Sequence, residues 1–178
     1  MMIASYDYQL VMLSIVVSIL AAYAARHLTD LVRETRSSTW LVWLVGGAVV
    51  DGIGTWSMHY TGMLAFILPV PVQYDWPTVL LSLAVSTVGS AAALVVVSYG
   101  NAQWPQAVAA SILLGGVGIS GMHYTAMAAM RVPATQHHAP ALATLAVMLA
   151  MVISFMALSL TILATQRGIL CESTGVRS

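Results

Sequence analysis

Five apolar stretches, each close to the length of a bilayer crossing, restrict what this chain can fold into. A membrane-spanning helix needs about 20 mostly apolar residues, and residues 10–25, 41–66, 79–97, 107–130 and 141–164 meet that description. Only 7% of the chain is charged and 60% is hydrophobic, where a soluble domain carries about a quarter charged residues. The expected fold is all-α: a polytopic transmembrane helix bundle of five spans. Between the spans lie a charged loop at 26–38, a second loop bracketed by Pro69, Pro71 and Pro77, a polar turn at 99–105, and a break at 133–140. Proline lacks an amide hydrogen and clashes with the preceding turn, so it is expected to stop the helices at these points.

Arginine sets the expected orientation. Arg26, Arg33 and Arg36 lie in the first loop and Arg167 and Arg177 beyond the last span, leaving Arg131 on the other side. Positive loops stay cytoplasmic, which puts the N-terminus outside and the C-terminus inside. Met1 to Asp7 carry an acid and no basic residue, unlike a cleavable signal peptide. There is no lysine and the net charge is zero, so no basic surface suits nucleic acid. Cys171 is a single cysteine in the C-terminal tail, read as a free thiol without metal-ligand spacing.

The chain also repeats itself. Residues 52–63 read GIGTWSMHYTGM and residues 116–127 read GVGISGMHYTAM, an offset of 64. Trp40 aligns with Trp104 and Pro69 with Pro133, and upstream Tyr6-Asp7 resembles Tyr74-Asp75. The unit is a helix pair, one helix inward and one outward ending in the motif, so the tandem copies run in the same direction. His59 and His123 each lie 19 residues beyond their tryptophan, or roughly 28 Å at 1.5 Å per residue. Equal depth is what a shared site requires. The boundaries are a transmembrane domain at 1–165 and a cytoplasmic tail at 166–178. Within the domain, repeat 1 covers about 6–71, repeat 2 about 74–133, and an incomplete repeat 3 starts near 137. At the same offset a third motif histidine falls at about position 187.

On a helix, positions four apart share a face, so His59 projects with Met63 and His123 with Met127. Two imidazoles and two thioethers form a soft to borderline donor set that suits copper, above all Cu(I), better than Mg²⁺ or Ca²⁺. Met58 and Met122 point about 100° away; they pack, or they replace Met63 and Met127 if the helices are rotated. Tyr60, Thr61, Tyr124 and Thr125 offer hydroxyls that orient an imidazole N–H. The bland alternative is that the histidines bond one helix to another and the methionines fill space. Gly52, Gly54, Gly116 and Gly118 are read as packing residues that let helix backbones approach and bring the motif helices together. Asp51 falls within a span, where a carboxylate costs roughly 2.5–3.5 kcal/mol. It either stays protonated on a neighbour or serves a proton or ion step. His137 and His138 are read as solvated loop residues, with spare metal ligation as the alternative.

With both copies laid out, the chain resembles the MHYT domain, a bacterial integral-membrane sensor family named for this motif. The resemblance rests on Tyr6-Asp7, the first loop, residues 56–63, Leu68-Pro69-Val70-Pro71, Tyr74-Asp75 and residues 121–127. It implies helix pairs in the bacterial cytoplasmic membrane with motif residues near the outer face. It further implies a proposed copper site of Met58, His59, Met63, Met122, His123 and Met127 that senses oxygen, carbon monoxide or nitric oxide. It also implies a cytoplasmic signalling partner or output module; a homo-oligomer is an open expectation. This chain has two motifs where the family has three, and no output module. A metal-binding membrane sensor of a diatomic gas or redox state is the expected function. A bis-histidine haem protein using His59 and His123, or a small copper or ion carrier using Asp51, is the alternative. No Ser-His-Asp set, phosphate-binding Gly loop or carboxylate pair is present, so no enzyme activity is expected.

Overall fold

The computed structural model describes residues 5–35, 39–67, 72–98, 104–131 and 140–175. Among these, five helical segments are long and apolar enough to cross a membrane. The first is α1 (Tyr8–Glu34), followed by α2 (Trp40–Leu64) and α3 (Trp76–Ser98). The fourth crossing is composite: α4 (Trp104–Ser111), a π-helical stretch over Ile112–Ser120, and α5 (Gly121–Ala129). The fifth is α6 (Pro140–Gly175). Each crossing packs on the next: α1 on α2, α2 on α3, α3 on the fourth crossing, and α6 on the fourth crossing. The fold is a bundle of tandem helix pairs.

Two-residue strands close each pair at the same end of the bundle. In the first copy β1 (Ser5–Tyr6) pairs antiparallel with β2 (Phe66–Ile67), Tyr6 opposite Phe66. In the second, β3 (Gln73–Tyr74) pairs with β4 (Met130–Arg131), Tyr74 opposite Met130. The Asp7 amide donates to the Ala65 carbonyl at 2.8 Å, and the Asp75 amide to that of Ala129 at 2.9 Å. Each bond ties the start of a pair to its end, and both occupy the same place in the repeat. Asp7 caps α1 by accepting from the Gln9 and Leu10 amides, the standard use of an acid before a helix start. Asp75 accepts from the Thr78 hydroxyl and amide and pairs with Arg131 at 2.6 Å.

Two expectations about the breaks are corrected. The first helix does not end at Ala25 but runs to Glu34, so Arg26 and Arg33 belong to α1 rather than to a loop. Charge ends a lipid-facing stretch without ending a helix, because Arg, Leu and Glu are good helix formers and neither Pro nor Gly interrupts residues 8–34. Pro77, Pro105 and Pro140 do not stop helices; they open α3, α4 and α6, since an amide in the first turn has no intrahelical partner to lose. Helix α6 likewise continues through 166–175, the residues read as a tail. Pro69, Pro71, Pro133, His137, His138, Arg36 and Arg177 lie outside the described residues.

Close backbone contacts hold the pairs together through α3. A Cβ on Gly52 would lie 2.8 Å from the Thr87 Cα of α3, and a Cβ on Gly89 of α3 would overlap Gly118. Gly54 faces Ala21 of α1, whereas Gly116 has only an ordinary 3.5 Å approach to the Met151 sulfur of α6. The glycines therefore join α2 to α1 and α3, and α3 to the π-helical stretch. They bring the motif helices together by seating both on α3, not by direct contact. Because the obstacle at Gly89 is backbone, Gly89→Ala is expected to destabilise the bundle by about 1–3 kcal/mol. Gly46→Ala, with nothing within 4 Å of the new methyl, should stabilise α2 by up to about 1 kcal/mol. Thermal unfolding of the two variants in detergent, shifting in opposite directions, checks this.

Candidate metal centre

The two motifs end the second and fourth crossings, and the structure brings their imidazoles into contact. His59 Nδ1 and His123 Nδ1 lie 3.5 Å apart, with ring centroids 4.9 Å apart and ring planes at 80°. That separation is longer than the 2.7–3.2 Å range of an N–H···N-type bond. At metal–nitrogen bonds of about 2.0 Å, such a pair subtends about 120° at one shared ion. His59 Nε2 is buried and has no hydrogen-bond partner. An imidazole nitrogen held out of water and left unpaired is costly.

His59 stands between two cavities. The outer one, of about 570 Å³, is lined by Met58, His59, Met63 and Met127 together with Tyr6, Tyr74 and Met130. The other, of about 230 Å³, is lined by Met58, Met122, His59 and His123 and closed by Ala146, Val147 and Ala150 of α6. The six motif methionines and histidines are thus divided between two cavities that share Met58 and His59, with Met122 fully buried and the others partly so. Met58 borders both cavities. Other methionines sit apart: Met12, Met148 and Met156 are exposed on the apolar exterior.

Aromatic rings frame the pair. Tyr60 and Tyr124 meet their neighbouring imidazoles edge-on, at 5.5 and 5.2 Å between centroids. The Tyr124 hydroxyl donates to the Ala143 carbonyl of α6 at 3.1 Å, and the Thr125 hydroxyl to the Gly121 carbonyl at 2.7 Å. Their hydrogens are directed to backbone, leaving only oxygen lone pairs for an imidazole N–H. The Tyr60 hydroxyl is buried without a partner, and its ring lies 6.0 Å from that of Tyr74 at the start of α3. Each motif tyrosine therefore reaches toward the helix that opens the next copy. Trp56 adds a tie to α3, its Nε1 donating to Ser82 Oγ at 3.1 Å while the Ser82 hydroxyl donates to Val79. Thr61 is partly buried in the last turn of α2.

Asp51 is not beside the histidines. It lies eight residues back along α2, about 12 Å at the helical rise, where its Oδ2 accepts from the Ser90 hydroxyl at 2.6 Å. It borders a different cavity, none of whose lining residues belongs to the motifs. Tyr6, Tyr74 and Met130, by contrast, line the outer cavity although none was expected as a site residue. The repeated Tyr-Asp pair was the available signal for the tyrosines, since repetition marks Tyr6 and Tyr74 as equivalent. Among the described residues no three His, Cys, Asp or Glu side chains cluster around a possible ion. An ion at the imidazole pair must complete its shell from thioethers or from outside ligands.

A family model described as "Bacterial signalling protein N terminal repeat" matches residues 52–110 and 116–171. The chain belongs to the MHYT family. The MHYT match has the 64-residue period seen in the sequence, with each copy opening at its motif glycine rather than at Tyr-Asp. Similar curated proteins include the bifunctional diguanylate cyclase/cyclic di-GMP phosphodiesterase MucR of Pseudomonas aeruginosa, 46% identical over 73% of this chain and 19% of that protein. The cyclic di-GMP phosphodiesterase NbdA of the same organism is 36% identical over 87% of this chain and 20% of that protein. The signaling protein YkoW of Bacillus subtilis is 31% identical over 88% and 19%. This MHYT chain therefore spans about a fifth of the length of the curated relatives it matches, and no solved structure matches it. It is a multi-pass membrane domain of the sensor type found in such signalling proteins.

At the motif end the Thr78 hydroxyl and amide, followed by Arg131, hold the Asp75 carboxyl below its ordinary value of 3.8. A carboxylate favoured in the folded state adds stability above its unfolded pKa and loses that stability as pH falls through the folded one. The Asp75 cap is thus intact at neutral pH and fails only below the usual carboxylate range. Asp75→Asn should flatten the acid limb of a thermal-stability profile below about pH 4, leaving the neutral part nearly unchanged. An identical acid limb in the variant counts against this cap.

Proposed function

We propose that this chain is the sensory membrane domain of a signalling protein and holds one copper ion at the His59–His123 pair. What carries the reading is the 3.5 Å separation of the two Nδ1 atoms, too long for a good hydrogen bond and suited to a shared ion. The unpartnered buried His59 Nε2 supports the view that this ring is arranged for more than helix packing. Met58, Met63, Met122 and Met127 supply thioethers around the pair, a donor set soft enough for Cu(I) and poor for zinc, magnesium or calcium. Copper bound there would supply a one-electron redox centre and, as Cu(I), an affinity for diatomic gases. The residues' own work is to orient the imidazoles, exclude water and leave an apolar approach through the 570 Å³ outer cavity. An uncharged gas crosses such a methionine- and aromatic-lined space without the desolvation that a charged solute suffers.

The contact between the two rings favours a single ion over haem, because a porphyrin needs a slot between opposed axial imidazoles and these rings touch. The activities printed in the relatives' names belong, on this reading, to the parts of those proteins outside the matched fifth. The chain acts on them by conformation rather than by catalysis. The arginine distribution supports an orientation with the N-terminus and the motif end outside the cytoplasmic membrane and the C-terminus within.

Metal analysis of the detergent-purified chain should find copper, falling by more than about tenfold in the His59→Ala/His123→Ala double variant. Equal copper in both proteins removes the proposed ligands, and a Soret band lost in the double variant reassigns the site to haem. Alkaline phosphatase fused after Ser178 should be inactive in cells, and an active fusion reverses the orientation.

A further inference from the structure

A third cavity lies away from the motifs, at Asp51, and has a volume of about 150 Å³. Its polar lining comes from four side chains: Asp51 of α2, Ser90 of α3, and Arg26 and Thr29 of α1. The remaining wall is apolar, including Leu114 of the π-helical stretch and Leu158 of α6. From Asp51 the lining runs toward the end of the bundle opposite the motifs, past Gly47, Arg26, Thr29 and Val97. A space of this size has room for several waters beside its four polar side chains, each water needing about 10–15 Å³.

Asp51 and Arg26 are the two charged groups on this cavity's lining; among the described residues α3, the π-helical stretch and α6 add no other titratable side chain there. The ion pairs of 4.0 Å or less among the described residues do not include Asp51 with Arg26. The two groups therefore share the space without direct contact. Ser90 satisfies one carboxyl oxygen, at 2.6 Å. Thr29 directs its hydrogen to the Ala25 carbonyl at 2.7 Å, leaving lone pairs toward the cavity. A buried carboxyl with one donor and room beside it for water can exchange a proton. A metal cation fits poorly, because Arg26 would repel it. An anion fits poorly too, because Asp51 would.

We propose that the Asp51 cavity is a second ligand site of this domain, one that binds a proton on Asp51, with Ser90 as its hydrogen-bond partner and Arg26 as its water-separated counter-charge. It shares no lining residue with the imidazole pair, so it stands or falls independently of the copper reading.

The test uses the full chain in lipid vesicles and dicyclohexylcarbodiimide, an apolar reagent that adds to protonated carboxyl groups buried in membranes. Peptide mapping of the unmutated chain should place the adduct on Asp51. The labelling rate should fall by about tenfold for each pH unit above a midpoint, as the protonated fraction does. Arg26→Gln removes the cation that favours the carboxylate, so its midpoint should move to higher pH. Absence of the adduct from Asp51 at every pH, or labelling that ignores pH, overturns the proposal. So does protection of Asp51 by sodium chloride relative to choline chloride at equal ionic strength, which would make the ligand a metal cation. An unchanged midpoint in Arg26→Gln removes Arg26 from the site.

Discussion

Backbone contact on α3 is the constraint from which the motif geometry follows. Helix α2 lies against Thr87 through Gly52, and the π-helical stretch lies against Gly89 through Gly118. In lipid, helices gain little from hiding apolar surface, so association depends on close van der Waals approach and interhelical hydrogen bonds. Both are present along α3: the glycine contacts at mid-depth, and the Trp56–Ser82 and Asp51–Ser90 bonds on either side of them. With both motif helices seated on one support, their outer ends have nowhere to go but toward each other. The imidazole pair is the result of that seating and is not itself the glue.

The two copies are close in sequence but do not have the same backbone. Residues 112–120 wind as a π-helix, whereas the aligned part of α2 is α-helical. A π coil turns less per residue than an α-helix, so it changes the direction in which everything beyond it faces. Two local features accompany the change. Gly115 stands where the first copy has Asp51, and its missing side chain lets it lie against the Ala150–Met151 backbone of α6. The Ser120 hydroxyl closes on the Gly115 carbonyl five residues back, at 2.7 Å. Helix α5 therefore presents His123 at an angle that a straight helix from Trp104 would not, and π-helical insertions recur at functional sites for this reason.

Much of this was legible from residues alone, and what was not has identifiable causes. Five apolar stretches gave five crossings, and the identical offset of the two motifs gave two histidines at one depth. Helix ends were less legible, because hydropathy reports where lipid ends and not where hydrogen bonding ends; α1 continues through Arg26 and Arg33 for that reason. The π-helical stretch could not be read from periodicity, since GGVG-type sequence is compatible with either winding. Asp51 lies seven residues before Met58, a spacing that puts the two nearly on one helix face, yet its carboxylate is bonded to Ser90 of α3 and borders a cavity shared with α1. The short strands escaped notice because two residues carry no alternation, though Tyr-Asp repetition marked their place.

The same helix thus carries two polar sites on opposite sides of one rigid contact. Gly52 is the neighbour of Asp51 and lies seven residues before His59, and a Cβ there would meet both the Thr87 hydroxyl, at 2.5 Å, and the Thr87 Cα, at 2.8 Å. A contact between side chains can absorb a small displacement by changing rotamers; a contact between backbones cannot, and passes the displacement on. If α2 slides or rolls on α3 at the motif end, Gly52 must ride over Thr87, and the Asp51–Ser90 bond just beyond it must lengthen or break. Here the absent side chain at position 52 sets α2 directly against Thr87 of α3.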